Sequence, residues 1–228
     1  LRVEGAIKNS KFAMPPKTQV TANFAPADVR KEGTGYDLPL AIGLLAANEH
    51  AKSEKLERFV LVGELGLDGS LRPVKGALSI AIKMRELNFE GMIVPQENVR
   101  EAAVVNRLKV FGASHLREVV DFLNGKEDAL QQTIVNTREE FFSAQQHDTF
   151  DFSEVKGQQA VKRAFEVAAA GGHNLILIGS PGCGKSMMAK RIPSILPRLT
   201  LNESLETTQL HSIAGNLGDS TSLVTERP

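Results

Sequence analysis

Gly179, Ser180, Pro181, Gly182, Cys183, Gly184, Lys185 and Ser186 match G-x-x-x-x-G-K-[ST] at every fixed position. That pattern is a cradle for nucleotide phosphates. Glycines are needed because several backbone N–H groups must turn inward around an anion, which calls for dihedrals and close approaches that a Cβ obstructs. Lys185 then offers a cation to the β- and γ-phosphates of ATP, and the Ser186 hydroxyl offers a ligand to Mg²⁺. Cys183 falls at a position the pattern leaves free and reads as a small tolerated side chain.

Such a loop works only between a strand and a helix. Before it, His173, Asn174, Leu175, Ile176, Leu177 and Ile178 form a short, largely apolar run that predicts a buried parallel strand. After it, Met187, Met188, Ala189, Ile192 and Ile195 lie in a segment that can start as a helix at Lys185, which aims the helix dipole at the phosphates. Upstream, Ala160, Val161, Ala164, Phe165, Val167 and Ala168 mark a helix that Gly171 and Gly172 end. Downstream, Pro193 and Pro197 break the helical pattern, and Thr200 with Glu203 has the spacing of a capping box for a helix through Leu205, Leu210 and Ile213. Residues 215–228 show no periodicity.

The first half alternates strands and helices. Leu1, Val3, Ala6 and Ile7 make a helical stripe, and the alternation over residues 17–25 predicts a strand. A helix is expected over 38–48 and a strand over 59–65. Asp68-Gly69 then signals a hairpin into a partner strand that ends at Pro73. A helix through Ala77, Ile80, Ala81, Met84 and Leu87 follows, then a strand at 92–94, a helix over 99–105, a strand at 108–111 and a helix over 116–123. The fold class is α/β, with a mixed sheet because of the hairpin. Residues 125–149 read as a linker, which sets the expected domains at 1–124 and 150–228.

Composition narrows the functional classes. The 228 residues carry 27 Lys+Arg and 27 Asp+Glu, so a zero net charge gives no global pull toward nucleic acid. One cysteine excludes an internal disulfide, and no apolar run reaches the length of a membrane span, so a soluble, cytoplasmic protein without a membrane partner is expected. The five dispersed histidines, His50, His115, His147, His173 and His211, lack paired ligand spacing, and no metal site is expected from them. The chain starts at Leu1 in what reads as mid-helix, so a fragment at both ends is expected.

With these residues in view, the second half resembles the AAA+ ATPases, through Val155, Lys156, Gly157 and Gln158, the helix after them, and the phosphate loop. Within that class, Gly172-His173-Asn174, Gly179-Ser180-Pro181-Gly182 and Ile213-Ala214-Gly215 are similar to the magnesium-chelatase-related group of the ComM and YifB type. The resemblance implies that Val155 lines the adenine pocket and that the intact protein self-associates into a ring, expected to be a hexamer. It further implies an ATP-driven motor acting on DNA in recombination or natural transformation. The first half resembles the Lon-protease-like domain of that group, through residues 23–28, Lys31-Glu32-Gly33, Asp37-Leu38-Pro39, Gly63-Glu64-Leu65, Gly69 and Pro73-Val74.

Two departures qualify what the resemblance implies. On the Lon pattern the serine nucleophile falls at Gly35 and its activating lysine at Leu78, and neither side chain can do that chemistry. Lys75 and Lys83 lie nearby, and Thr34 is one residue from the serine position. In the ATPase part, no apolar strand ending in an acid follows Ser186, and Asp219 and Glu226 sit in the aperiodic tail. No complete catalytic set is present, so this stretch is expected to bind nucleotide and hydrolyse little of it. A magnesium-chelatase-type motor remodelling a protein partner, and a nucleotide-binding interaction module without turnover, are the alternatives.

Overall fold

A computed structural model describes residues 2–14, 20–23, 33–52, 54–144, 150–218, 222–225 and 227. The chain divides into two compact units, Leu1–Thr137 with Thr208–Leu223, and Arg138–Thr207 with Val224–Pro228.

The first unit opens with helices α1 (Arg2–Asn9) and α2 (Asp37–Ala47). Strand β1 (Phe59–Leu61) follows, then the hairpin of β2 (Glu64–Leu65) and β3 (Leu71–Arg72). Helix α3 (Ala77–Glu86), β4 (Gly91–Pro95), α4 (Val99–Ala103), β5 (Lys109–Ala113), α5 (Leu116–Leu123) and β6 (Gln132–Thr133) complete it. The four-stranded sheet runs β1-β4-β5-β6, parallel across its first three strands and antiparallel at β6. This is the mixed α/β sheet the alternation predicts, with two parallel steps that need crossover helices and one antiparallel step that does not.

The central strand β4 is buried along its whole length, and its neighbours are covered in part. Phe59, Ile93 and Phe111 pack into one core with Ile7 of α1, Leu38, Ile42 and Leu45 of α2, and five apolar residues of α5. Met92, Val94 and Val110 point the other way, fully buried, on the side where α3 contacts β4 and α4 contacts β5. Each fully buried Leu, Ile or Phe contributes about 1.5–3 kcal/mol of transfer free energy, so these two layers dominate the stability of the sheet. The Phe59, Phe111 and Phe122 rings meet pairwise with centroids 4.9 to 5.9 Å apart.

Local chemistry sets the element ends. His115 caps α5, its Nδ1 accepting from the Arg117 N–H at 3.1 Å while Glu118 Oε2 accepts from the His115 N–H at 3.2 Å. The hairpin turns at Gly69, whose φ of 89° favours a residue without a Cβ. Residues 132–133, expected within a linker, instead extend the sheet as β6. Residues 20–23 form no strand, and the rest of the strand expected over 17–25 lies outside the described residues, as do most of the signature residues at 23–32.

The second unit contains most of α6 (Thr137–Ala144), then α7 (Gln159–Gly171), the phosphate loop, α8 (Lys185–Ala189) and the start of α9 (Leu201–Ala214). Gly172, at φ 63°, ends α7 with its N–H donating to the Ala168 carbonyl. The capping box of α9 forms as its spacing predicts: the Thr200 N–H donates to Glu203 Oε2 at 2.8 Å, and the Glu203 N–H to Thr200 Oγ1 at 3.3 Å.

Candidate functional site

The loop is supported by a small apolar cluster of Phe152, Val155, Phe165 and Met188, with Leu175, Leu177, Ile192 and Ile195 packed against it. Leu175 and Leu177 alternate inward, while Ile176 and Ile178 stand 83% and 92% exposed. The period of two is that of a strand, yet residues 173–180 form no ladder. Among the described residues of this unit no second strand offers the backbone partners that a strand requires, so the expected buried strand is an extended segment with one face covered.

Gly182 and Gly184 take φ values of 84° and 86°, the left-handed region where a side chain is strained. These positions turn the backbone into the cradle. The Lys185 ammonium is folded over the loop, donating to the carbonyl oxygens of Gly179 and Ser180 at 2.8 Å each and lying 3.5 Å from Cys183 Sγ. Ser186 is exposed on the first turn of α8, and its hydroxyl makes no hydrogen bond among the described residues. The helix is shorter than expected. It stops at Ala189, and Ile192–Ile195 forms a 3₁₀ turn containing Pro193, whose missing N–H cannot continue an α-helical ladder.

A cavity of about 530 Å³ opens beside Lys185 and Ser186, lined also by Phe165, Asn174, Leu175 and Leu177. Val155 is 1% exposed, within the cluster that also holds Met188 of α8. Arg191 steadies this region: its guanidinium contacts Glu154 Oε2 at 2.5 Å and lies 5.1 Å from the centre of the Phe150 ring. Sequence reasoning missed that pair, because Glu154 and Arg191 are 37 residues apart and neither belongs to the motif. The residues present fit a nucleotide's phosphates and Mg²⁺. Two left-handed glycines, one cation and one free hydroxyl are in place at the spacing the chemistry requires.

Among described residues after Ser186, the acids are Glu203, occupied in the capping box, and Glu206, exposed on α9. Asp219 and Glu226 lie outside the described residues. Among the described residues, no group of three or more His, Cys, Asp or Glu is arranged to hold a metal ion, and no helix is long and apolar enough to cross a membrane.

The protease-like positions sit in the first unit. Gly35 precedes α2, and a Cβ there would meet Val62 and Val74 at 3.5 and 3.7 Å. Leu78 is fully buried in α3. The Thr34 hydroxyl donates to Glu64. Lys75 Nζ is 3.4 Å from the Ala214 carbonyl oxygen, and Lys83 pairs with Glu86 at 3.0 Å. The Thr34 hydroxyl is thus tied to a carboxylate and Lys83 to Glu86, and neither Gly35 nor Leu78 carries a group that could serve as nucleophile or base. A cleft of about 740 Å³ lined by Thr34, Gly35, Val62, Val74, Lys75 and Ile80 remains at this place.

Two family comparisons cover most of the chain. Residues 1–98 match the family described as Subunit ChlI of Mg-chelatase, and residues 151–228 match Magnesium chelatase, subunit ChlI. Competence protein ComM of Haemophilus influenzae is 40% identical over 216 residues, 94% of this chain and 42% of that protein. The chain is a ComM- and YifB-like, Mg-chelatase-like protein. YifB of Escherichia coli is 45% identical and YifB of Salmonella typhimurium 44% identical, each over 212 residues, 93% of this chain and 40% of the relative. The chain thus spans less than half the length of these ComM and YifB relatives. The ChlI family is an AAA+ ATPase family whose members generally use ATP and Mg²⁺. Because the profile matching residues 1–98 also bears the chelatase subunit's name, the first unit does not by itself separate a ComM-type protein from a chelatase-type one.

Proposed function

We propose that this chain is the ATP-binding part of a ComM-like AAA+ motor that acts on DNA in recombination or natural transformation. The observation that carries the reading is the intact phosphate loop, with Gly182 and Gly184 left-handed, Lys185 over the loop and the Ser186 hydroxyl free. The 40% identity to a protein named for competence supports the DNA part.

In this reading the loop N–H groups and Lys185 bind the phosphates, and Ser186 Oγ holds Mg²⁺. ATP supplies the anhydride whose cleavage drives movement. Lys185 must first leave the Gly179 and Ser180 carbonyl oxygens, so loop and ligand compete for one ammonium. Val155 lies under the loop, where it would support the adenine pocket from the core side. The protein is cytoplasmic and assembles as a ring, expected to be a hexamer, with the 1–124 domain of Lon-protease-like type proteolytically inactive, a linker at 125–149 and the ATPase part at 150–228.

The test uses the intact protein. Salt-dependent binding to branched and single-stranded DNA is expected, with ATP hydrolysis abolished by Lys185→Ala; no DNA binding at any structure or length would sink the motor-on-DNA reading. A chelatase-type motor that remodels a protein partner is the second reading, supported by the two matched family descriptions, and ATP turnover stimulated by a protein rather than by DNA would favour it. The 228-residue chain alone, with no acid placed beside Ser186 among its described residues, is expected to bind nucleotide and turn over little of it.

A further inference from the structure

The sequence has zero net charge, but one end of the sheet in the first unit does not. Strands β4 and β5 are parallel neighbours, so the loops that enter them lie side by side. Between these loops is a cleft of about 700 Å³ lined by Arg85, Glu86, Asn88, Phe89, Asn106 and Arg107. Around it, Glu86 is already paired with Lys83 at 3.0 Å, and Glu90 is shared by Arg58 at 2.8 Å and Lys109 at 3.0 Å. Among these groups five cations stand against two carboxylates. The Arg85 and Arg107 guanidinium groups and the Asn88 and Asn106 carboxamides have no side-chain partner among the described residues.

Neither arginine is explained by the fold alone. Arg85, in the last turn of α3, suits the helix's negative end, but that turn is closed without its side chain. Asn88, at φ 60°, donates to the Arg85 carbonyl, and the Phe89 N–H donates to the Met84 carbonyl. Arg107 holds φ 66°, a conformation that asparagine or glycine adopts with less strain, so its side chain is the part of that residue the backbone does not ask for.

We propose that this cleft is a contact for the phosphodiester backbone of DNA, with the Arg85 and Arg107 guanidinium groups donating to phosphate oxygens and Asn88 and Asn106 donating beside them. Planar guanidinium forks match phosphate oxygens two at a time, and contacts of this kind position a duplex or strand without reading its bases. The proposal rests on the reading that the intact protein acts on DNA.

The experiment is a salt titration of DNA binding by the intact protein, comparing the parent with the Arg85→Ala/Arg107→Ala double variant. Loss of two phosphate contacts lowers the slope of log K against log salt by about 2 units and the affinity near 0.1 M salt on the order of 10- to 100-fold, equally for unrelated DNA sequences. Arg163→Ala, on α7, removes an arginine from the other unit and is expected to leave both quantities unchanged. Because neither cleft arginine bonds within the protein, the double variant keeps the parent's thermal midpoint. If it does not, Arg85→Gln/Arg107→Gln, which retains amide donors and side-chain bulk, takes its place. Unchanged slope and affinity in a folded double variant overturn this contact and leave the DNA reading standing, whereas no DNA binding by the parent overturns both.

Discussion

The ammonium of Lys185 lies 2.8 Å from the carbonyl oxygen of Gly179, with a second acceptor at the same distance in Ser180. The loop's own carbonyls thus hold the cation that phosphate oxygens would have to draw away. Replacing Lys185 by Ala removes both the internal tie and the phosphate contact. The expected result is a loss of ATP affinity on the order of 10- to 100-fold at unchanged thermal midpoint without nucleotide, since exposed bonds to carbonyls add little to stability. Calorimetric titration with ATP and Mg²⁺, beside a melt of the apo variant, measures both quantities. ATP affinity equal to the parent's would remove Lys185 from the binding site.

How much of this was legible in the sequence depends on what kind of information each element needs. Helix α5 over 116–123 and the Asp68-Gly69 hairpin were readable because their signals are local: an apolar stripe and a turn that tolerates φ of 89°. The phosphate loop was readable for the same reason. The segment at 173–178 was misread because an apolar run reports that side chains are to be covered and says nothing about whether another backbone is alongside. Strand β6 was missed for a related cause. Gln132 and Thr133 carry no apolar signal, and they form a strand because Phe111 and Val110 present a ladder to them. The cleft between Arg85 and Arg107 was beyond sequence reasoning, since only the parallel pairing of β4 with β5 brings the two loops together.

Asn98 fastens the hairpin's exit to α4. It is buried, its Oδ1 accepts from the Val74 N–H at 2.8 Å, and its Nδ2 donates to the Val74 carbonyl at 2.8 Å and to Glu101 Oε1 at 2.6 Å. Glu101 Oε2 is already buried without a partner. Asn98→Ala strips both peptide groups of Val74 and the remaining Glu101 contact at once, and is expected to cost about 2–4 kcal/mol. Urea unfolding followed by circular dichroism reads this directly. A loss below about 0.5 kcal/mol would mean that water replaces the carboxamide without penalty.

Restoring the residues of a serine–lysine protease is expected to fail structurally before it can be tested chemically. Gly35→Ser places a hydroxyl near Val62 and Val74 at ordinary contact distance, which the fold tolerates. Leu78→Lys instead puts an ammonium where a fully buried leucine packs, a change expected to cost more than about 3 kcal/mol and to lower soluble yield. The double variant is therefore expected to melt well below the parent and to cleave no unfolded protein substrate. A folded double variant with peptidase activity would show that the side chain at position 78 can leave the core and reach position 35.

Acid should loosen the start of α9. Hydrogen bonds from the Thr200 N–H and hydroxyl, with Arg227 adding a smaller contribution, hold the Glu203 carboxyl below the usual glutamate range. The folded pKa is lower than the unfolded one, so the stabilisation is complete above the ordinary glutamate value and is lost as pH falls through the folded value. Helicity measured from pH 7 down to pH 3 is expected to fall in this window for the parent. In Glu203→Gln that step is reduced, because a neutral amide oxygen still accepts from Thr200 but no longer titrates. Thr200→Ala, which removes the reciprocal acceptor for the Glu203 N–H, is expected to cost about 1 kcal/mol at neutral pH. If the parent and Glu203→Gln lost helicity identically with pH, the carboxylates elsewhere, Asp151 with its Ser153 bonds among them, would carry the acid response instead.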